Sequence, residues 1–200
     1  MLAERGAVVL SSDEMGRALM QPGERPYAQI IAAFGHEIAA PDGSLDRRKL
    51  AALAFDSARP RIDELNAIIH PAVIEIQLEQ LAALAKARPH AIAVVESALI
   101  FSTRHAAHGN WRERFDCVLL VEAPEEEKIR RFVDRIAAGR TLSSEERATL
   151  EADARRRLQV QHTTVYPSDC IVLHNDGDVE LLEQQVAVAW EQLKQMEQKI

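Results

Sequence analysis

Several side chains in this sequence stand where chemistry is done in folded enzymes. Asp13 follows the apolar run AVVL (Ala7 to Leu10) and leads into the helix-prone EMGRALM, so its carboxylate falls at a strand tip. There it acts either as a general base for a bound hydroxyl or as a cap on the following helix, and the residues alone favour neither role. Arg17 comes four residues later, a spacing that lets both face one site on a helix; its plainer role is a surface pair with Asp13 or Glu14. Arg131 and Arg135 repeat that spacing after CVLLVEAP, either as cations that stabilise developing charge or as members of a salt-bridged face with Glu126, Glu127 and Asp134. His70 precedes Pro71, which restricts the backbone before it and can end or kink a helix starting at Ile62. Asn175 and Gly177 belong to Asn-Asp-Gly, an ordinary turn sequence placed directly after an apolar run. The other histidines, among them His105 and His108 in a predicted loop, form no metal-ligand spacing, so no metal site is predicted.

These residues need a scaffold, and the pattern of apolar runs supplies one. Ala7 to Leu10, Ala91 to Val95 (AIAVV), Cys117 to Val121 (CVLLV) and Cys170 to Leu173 (CIVL) are rich in Val, Ile and Leu without strict alternation, as strands buried on both faces of a parallel sheet are. Segments with helical spacing lie between and after them: Ile62 to Lys86, Pro124 to Ala138, Ser143 to Gln161 and Val179 to Lys199. Strands alternating with helices predict an α/β fold with a parallel sheet flanked by helices. Each run is followed by polar groups: Ser11, Ser12 and Asp13; Glu96 and Ser97; Glu122; then His174, Asn175 and Asp176. Ligands of open α/β sheets bind beyond the carboxyl ends of the strands, so these tips are where a site is expected. Ala40 to Asp46 (APDGSLD) predicts a tight reversal, and Met1 to Gly6 reads as the last turn of a helix stopped by Gly6.

Composition narrows the class. At 200 residues and 47% hydrophobic, the chain can bury one main core with a small attached region. Its 24 Lys and Arg against 31 Asp and Glu give a net charge of -7, which argues against duplex nucleic acid as a partner. Cys117 and Cys170 sit in apolar runs as small hydrophobes, which predicts no disulfide framework and a reducing compartment. No stretch is expected to approach a bilayer-spanning length and the first residues lack a secretory pattern, so a soluble cytoplasmic protein without a membrane partner is predicted.

A family resemblance draws these features together. AERGAVVLSSDEMGRALMQPG resembles the second segment of dephospho-coenzyme A kinases, and DGSLDRRKL, LNAIIHPAV, VVESALIF, the Arg131 and Arg135 pair, Arg157 with Gln161, and CIVLHNDG follow in the family's order. The resemblance covers essentially the whole chain, with LNAIIHPAV its most specific local motif. It implies a P-loop nucleotide-kinase fold lacking its first strand, one domain over 1–200, with a helical acceptor region at 14–90 and a lid-like segment at 139–161. It implies ATP-dependent phosphorylation of the 3′-hydroxyl of dephospho-coenzyme A, with Asp13 as catalytic base, Arg17 beside it, and Arg47 and His70 binding the acceptor. Arg131 and Arg135 would serve ATP as lid arginines, and Asn175 and Gly177 its adenine side. Magnesium would accompany ATP.

The sequence also departs from that family. The phosphate-binding pattern GxxxxGK(S/T), whose amides cradle phosphates and whose Lys and hydroxyl serve phosphate and magnesium, does not occur in it. Roughly twenty residues, a strand, a loop and most of a helix, are missing on that template. Family-like sequence from Leu2 onward favours a longer natural protein over a shortened relative. Ser102 stands where an acidic residue is expected, and the connection from Gln161 to Asp169 is short for the family. Three readings follow: a dephospho-coenzyme A kinase weakly active or inactive as this chain, a non-catalytic dephospho-coenzyme A binding relative, or another nucleotide kinase. A parallel sheet without its first strand exposes unpaired edges and apolar faces. The 200-residue chain is therefore expected to be less stable and more aggregation-prone than a version restored to full family length. Equal denaturation midpoints for the two would refute this.

Overall fold

Parallel strands cannot be joined by a tight turn, so each pairing demands a long crossover, and helices supply it here. The computed structural model describes residues 1–56, 58–98, 100, 111–161 and 169–198. Ser102, His105, His108 and the connection at 162–168 lie outside the described residues. The chain forms two units, one from Leu2 to Glu113 and the other from Arg114 to Ile200.

In the first unit, β1 (Val8–Ser11) pairs in parallel with β2 (Ala93–Glu96), Val8 opposite Ala93 and Ser11 opposite Glu96. Both strands start one or two residues later than the apolar runs and end one residue beyond them, at the polar pair Ser11 and Glu96. Ala3–Arg5 forms a 3-10 turn, and Gly6 at φ 108° closes it by donating its N–H to the Ala3 carbonyl. The crossover consists of α1 (Ser12–Leu19), α2 (Arg25–Phe34), α3 (Arg47–Ala54) and α4 (Ile62–Ala87). Between α2 and α3 the predicted reversal forms around Gly43 at φ 84°, with Asp42 Oδ1 accepting from Ser44 N–H and Oγ. Hydrogen bonding by the Ser44 hydroxyl, then by its amide, holds the Asp42 carboxyl below its ordinary value. Tyr27 Oη donates to the Gly43 carbonyl at 2.6 Å, fastening the turn to α2, and Asp46 caps α3 through the amides of Arg48 and Lys49.

Ile30, Ile31, Phe34, Ile38, Leu45 and Leu50 make the core under this turn, with Leu65, Ile68 and Ile69 of α4 packed against them. The Arg61 guanidinium lies 4.2 Å above the Phe34 ring and donates to the Ala33 carbonyl at 2.8 Å. Farther along, Leu19 of α1 clusters with Ala72 and Val73 of α4. Pro71 has no N–H for the carbonyl one turn back, yet α4 runs on to Ala87; the burial of Ala72, Val73, Ile74 and Gln77 just past it holds the second half in place. At 26 residues α4 is long and apolar enough by composition to cross a membrane, which corrects the expectation that no stretch approaches that length. Its apolar surface is the wall on which α1, α2 and α3 rest.

In the second unit, β3 (Leu119–Glu122) pairs in parallel with β4 (Ile171–His174), Leu119 opposite Ile171 and Glu122 opposite His174. The helices are α5 (Glu125–Ala137), α6 (Ser144–Gln161) and α7 (Val179–Glu197). Ile129, Val133 and Ala137 form the buried stripe of α5, while Arg155 of α6 reaches Glu125 and Glu126 on its exposed side. Gln185 of α7 substitutes for a neighbouring strand at His174: its Oε1 accepts from the His174 N–H at 2.8 Å and its Nε2 donates to the His174 carbonyl at 2.9 Å. Burial on both faces is incomplete: Val121 is 57% exposed, and Val9 and Val172 are exposed as well. Each described ladder has only two strands, so every strand in it has an unpaired edge.

Phe34 is nearly fully buried and carries the Arg61 contact, so Phe34→Ala should lower stability by about 3–5 kcal/mol in urea denaturation. A loss under about 1 kcal/mol would place the core of this unit elsewhere.

Candidate active site

The acceptor-side candidates occupy the first unit. Ser11, the last residue of β1, caps α1 by accepting from the Glu14 amide at 3.5 Å. The capping role open to Asp13 in the sequence is thus held by its neighbour but one, and Asp13 stands exposed in the first helical turn. Among the described residues its carboxylate has no hydrogen bond or ion pair, and neither does the exposed guanidinium of Arg17. The surface pairing of Arg17 with Asp13 or Glu14 does not form.

α1 lies against α4 closely. A Cβ on Gly16 would sit 3.8 Å from both Ile69 and Val73, the residues that flank His70 and its following turn. One turn earlier on α1, the Ser12 hydroxyl accepts from Gln77 Nε2 at 2.8 Å; Gln77 is only 5% exposed. His70, Val73 and Gln77 recur at helical spacing, so the half-buried His70 belongs to the stripe of α4 that meets α1. Asp13, Arg17 and His70 are therefore carried by two packed helices at the β1 tip. Arg47 is exposed at the start of α3 and, among the described residues, makes no ion pair. The Ser12 and Gln77 pair was not foreseen, since a bond across 65 positions leaves no local pattern.

The nucleotide-side candidates occupy the second unit, and here two of them meet. Arg131 of α5 donates from Nη2 to the Asn175 carbonyl at 3.2 Å and to Asn175 Oδ1 at 3.0 Å. From Nε it donates to Glu127 Oε1 at 2.8 Å. Asn175 in turn donates its N–H to the Glu122 carbonyl at 2.7 Å, so the turn after β4 is tied to the tip of β3. Gly177 at φ 109° gives the turn a conformation other residues rarely adopt, and a Cβ there would lie 3.9 Å from Glu127 Oε1. Hydrogen bonding from Arg130, followed by the charges of Arg130 and Arg131, holds the Glu127 carboxyl below its ordinary value.

Arg135 differs from Arg131. It is exposed, makes no ion pair among the described residues, and lies 5.8 Å from the centre of the Phe132 ring. Arg157 of α6 approaches the same ring at 5.3 Å while its Nε donates to Asp153 at 3.0 Å. The salt-bridged face expected as the alternative thus includes Arg131 and leaves Arg135 out. Among the described residues no group of three or more His, Cys, Asp or Glu side chains could hold a metal ion.

Parallel strands with helical crossovers, and charged groups at their carboxyl ends, define the open α/β class of nucleotide-handling enzymes. The family model for dephospho-CoA kinase matches residues 1–180, and the chain belongs to that family. It is 32% identical to dephospho-CoA kinase of Moorella thermoacetica over 193 residues, 96% of this chain and 84% of that protein. With dephospho-CoA kinase of Thermobifida fusca it shares 32% identity over 96% of this chain and 87% of the other. A crystal structure from Thermus thermophilus aligns over 96% of this chain and 87% of that one, with TM-score 0.60 and 28% identity. The dephospho-CoA kinase of Campylobacter jejuni, 16% identical, has a similar fold at TM-score 0.59, over 96% of this chain and 88% of its own.

Helix α6 has its own local lock. Ser143 donates its N–H to Glu146 Oε2 at 2.8 Å and accepts from the Glu146 N–H at 3.2 Å, a reciprocal cap at the start of α6. The Ser143 amide, then its hydroxyl, holds the Glu146 carboxyl below its ordinary value. A depressed folded value means the contribution is present above the unfolded glutamate value, about 4.3, and is lost as pH falls through the folded one. Relative to Glu146→Gln, the unaltered protein should keep more helix at neutral pH, with the difference closing below about pH 4 in circular dichroism. A gap that persists at low pH would refute this.

Proposed function

We propose that the protein provides the acceptor and lid parts of a kinase that transfers the γ-phosphoryl group of ATP to the ribose 3′-hydroxyl of dephospho-coenzyme A, the last step of coenzyme A synthesis. Asp13 takes the proton of the hydroxyl, whose oxygen attacks the γ-phosphorus; the bond to the bridging oxygen breaks and ADP leaves. Arg17 compensates charge near the acceptor, and Arg47 and His70 bind dephospho-coenzyme A. Arg131 and Arg135 serve ATP as lid arginines, and Asn175 and Gly177 serve its adenine side. In this reading 1–200 act as one kinase-like domain, with 14–90 as acceptor region and 139–161 as lid, working in the cytoplasm without nucleic acid or membrane.

The observation that carries the proposal is the pair Asp13 and Arg17: exposed, unpaired among the described residues, and held at a strand tip against the helix that bears His70. A carboxylate and a guanidinium four residues apart would ordinarily be drawn together, and leaving both open suits them to a ligand. Magnesium is proposed as the companion of ATP. The described residues offer it no cluster of ligands, and the Lys and Ser or Thr of a Gly-rich loop do not occur in the sequence in that pattern, so no step is assigned to the ion.

Calorimetry with dephospho-coenzyme A and ATP added separately tests the reading. The 200-residue chain should bind dephospho-coenzyme A, with Arg17→Ala and Arg47→Ala each weakening it about tenfold, the worth of one charge-assisted hydrogen bond. It should transfer phosphate very weakly or not at all; turnover like that of relatives with the loop would overturn this. Joined to a Gly-rich loop segment, it should regain transfer, and Asp13→Asn should then lower the rate about 100- to 10,000-fold. Acceptor binding that never yields transfer in that context would favour a non-catalytic relative, and transfer to another alcohol would favour a different nucleotide kinase.

A further inference from the structure

Glu127 was foreseen only as one of several acids able to neutralise an arginine, yet its position gives it a narrower task. Its side chain is 15% exposed, against 76% for Glu126 beside it. Oε1 receives the Arg131 Nε, while Arg130 donates to both carboxylate oxygens. With Nε held, the plane of the Arg131 guanidinium is set, and its Nη2 donates to both oxygens of Asn175. The same Oε1 lies beside Gly177, so the carboxylate borders one end of the turn after β4 and reaches the other through Arg131. Gln185 braces the preceding residue, His174, by both backbone groups.

We propose that Glu127 is a positioning residue for recognition of a purine base: by fixing the plane of Arg131 it holds the Asn175–Gly177 turn in the shape that receives adenine. The inference rests on the kinase reading, which puts this turn on the adenine side of ATP. Arg131 then acts from the turn rather than on phosphate, and its partly exposed face is available for stacking on a flat ring. Glu127 never touches the ligand. Its removal should loosen the turn, cost base affinity and leave phosphate contacts unchanged.

Adenosine is the proper probe, because it isolates base contacts from the phosphate contacts of a Gly-rich loop. Saturation-transfer NMR on the 200-residue chain should show adenosine binding, with an affinity about tenfold lower in Glu127→Ala. Glu127→Gln, which keeps an oxygen acceptor for Arg131, should recover part of that loss. Inorganic tripolyphosphate should bind all three proteins alike. If adenosine binds the unaltered chain and the alanine variant equally, or if tripolyphosphate binding falls in parallel, Glu127 has no positioning role although the kinase reading stands. If adenosine fails to bind the unaltered chain, the adenine assignment of the turn falls and this inference falls with it.

Discussion

Burial along α4 governs where the candidate acceptor chemistry stands. The helix presents Leu65, Ile68 and Ile69 to the core under α2 and α3, then Ala72 and Val73 to α1. These contacts run from Leu65 to Val73, on both sides of Pro71, which is why a proline in the helix interior does not end it. The consequence for the site is geometric. α1 can bury Gly16 and Leu19 against α4 only by leaving the adjoining stripe, with Asp13 and Arg17, facing away from that contact. The exposed carboxylate and guanidinium are thus a by-product of apolar packing, and the Ser12 to Gln77 bond fixes how far along α4 the shorter helix sits.

A different device operates at the tips of β3 and β4. Here hydrogen bonds rather than apolar contacts set the arrangement, because the turn after β4 consists of Asn175, Asp176 and Gly177, none of which brings a large side chain to bury. Such a turn takes its shape from its partners: the Glu122 carbonyl, the Arg131 guanidinium and the Gln185 amide around His174. The two helical arginines divide accordingly. Arg131 is committed to the turn and to Glu127, while Arg135 keeps its charge available beside the Phe132 ring. Spacing alone treats them as equivalent, since both lie on one face of α5; the distinction comes from what stands opposite each one.

Much was legible in the chain. Runs of Val, Ile and Leu followed by polar tips identified all four described strands to within two residues, because a strand that must be buried writes its burial into consecutive positions. Helix limits at Ile62, the Gly6 stop, the Asp42 and Gly43 reversal and the start of α6 were equally readable, since caps and turns depend on residues within a few positions of one another. The ordered motifs also pointed to the family that the comparisons bear out.

What the amino acids determined by themselves was therefore local: which segments pair or coil, where they stop, and which ionisable groups fall at strand ends. Tertiary structure alone decided that Ser11 rather than Asp13 caps α1, that Arg17 is unpaired among the described residues, that Arg131 spends its hydrogen bonds on Asn175 and Glu127, and that α4, long and apolar enough to suit a bilayer, packs one stretch against α1 and α2. The physical reason is range. Periodicity and capping chemistry act over one or two turns, whereas the partners that settle these questions are separated by tens of residues and meet only once the helices have packed.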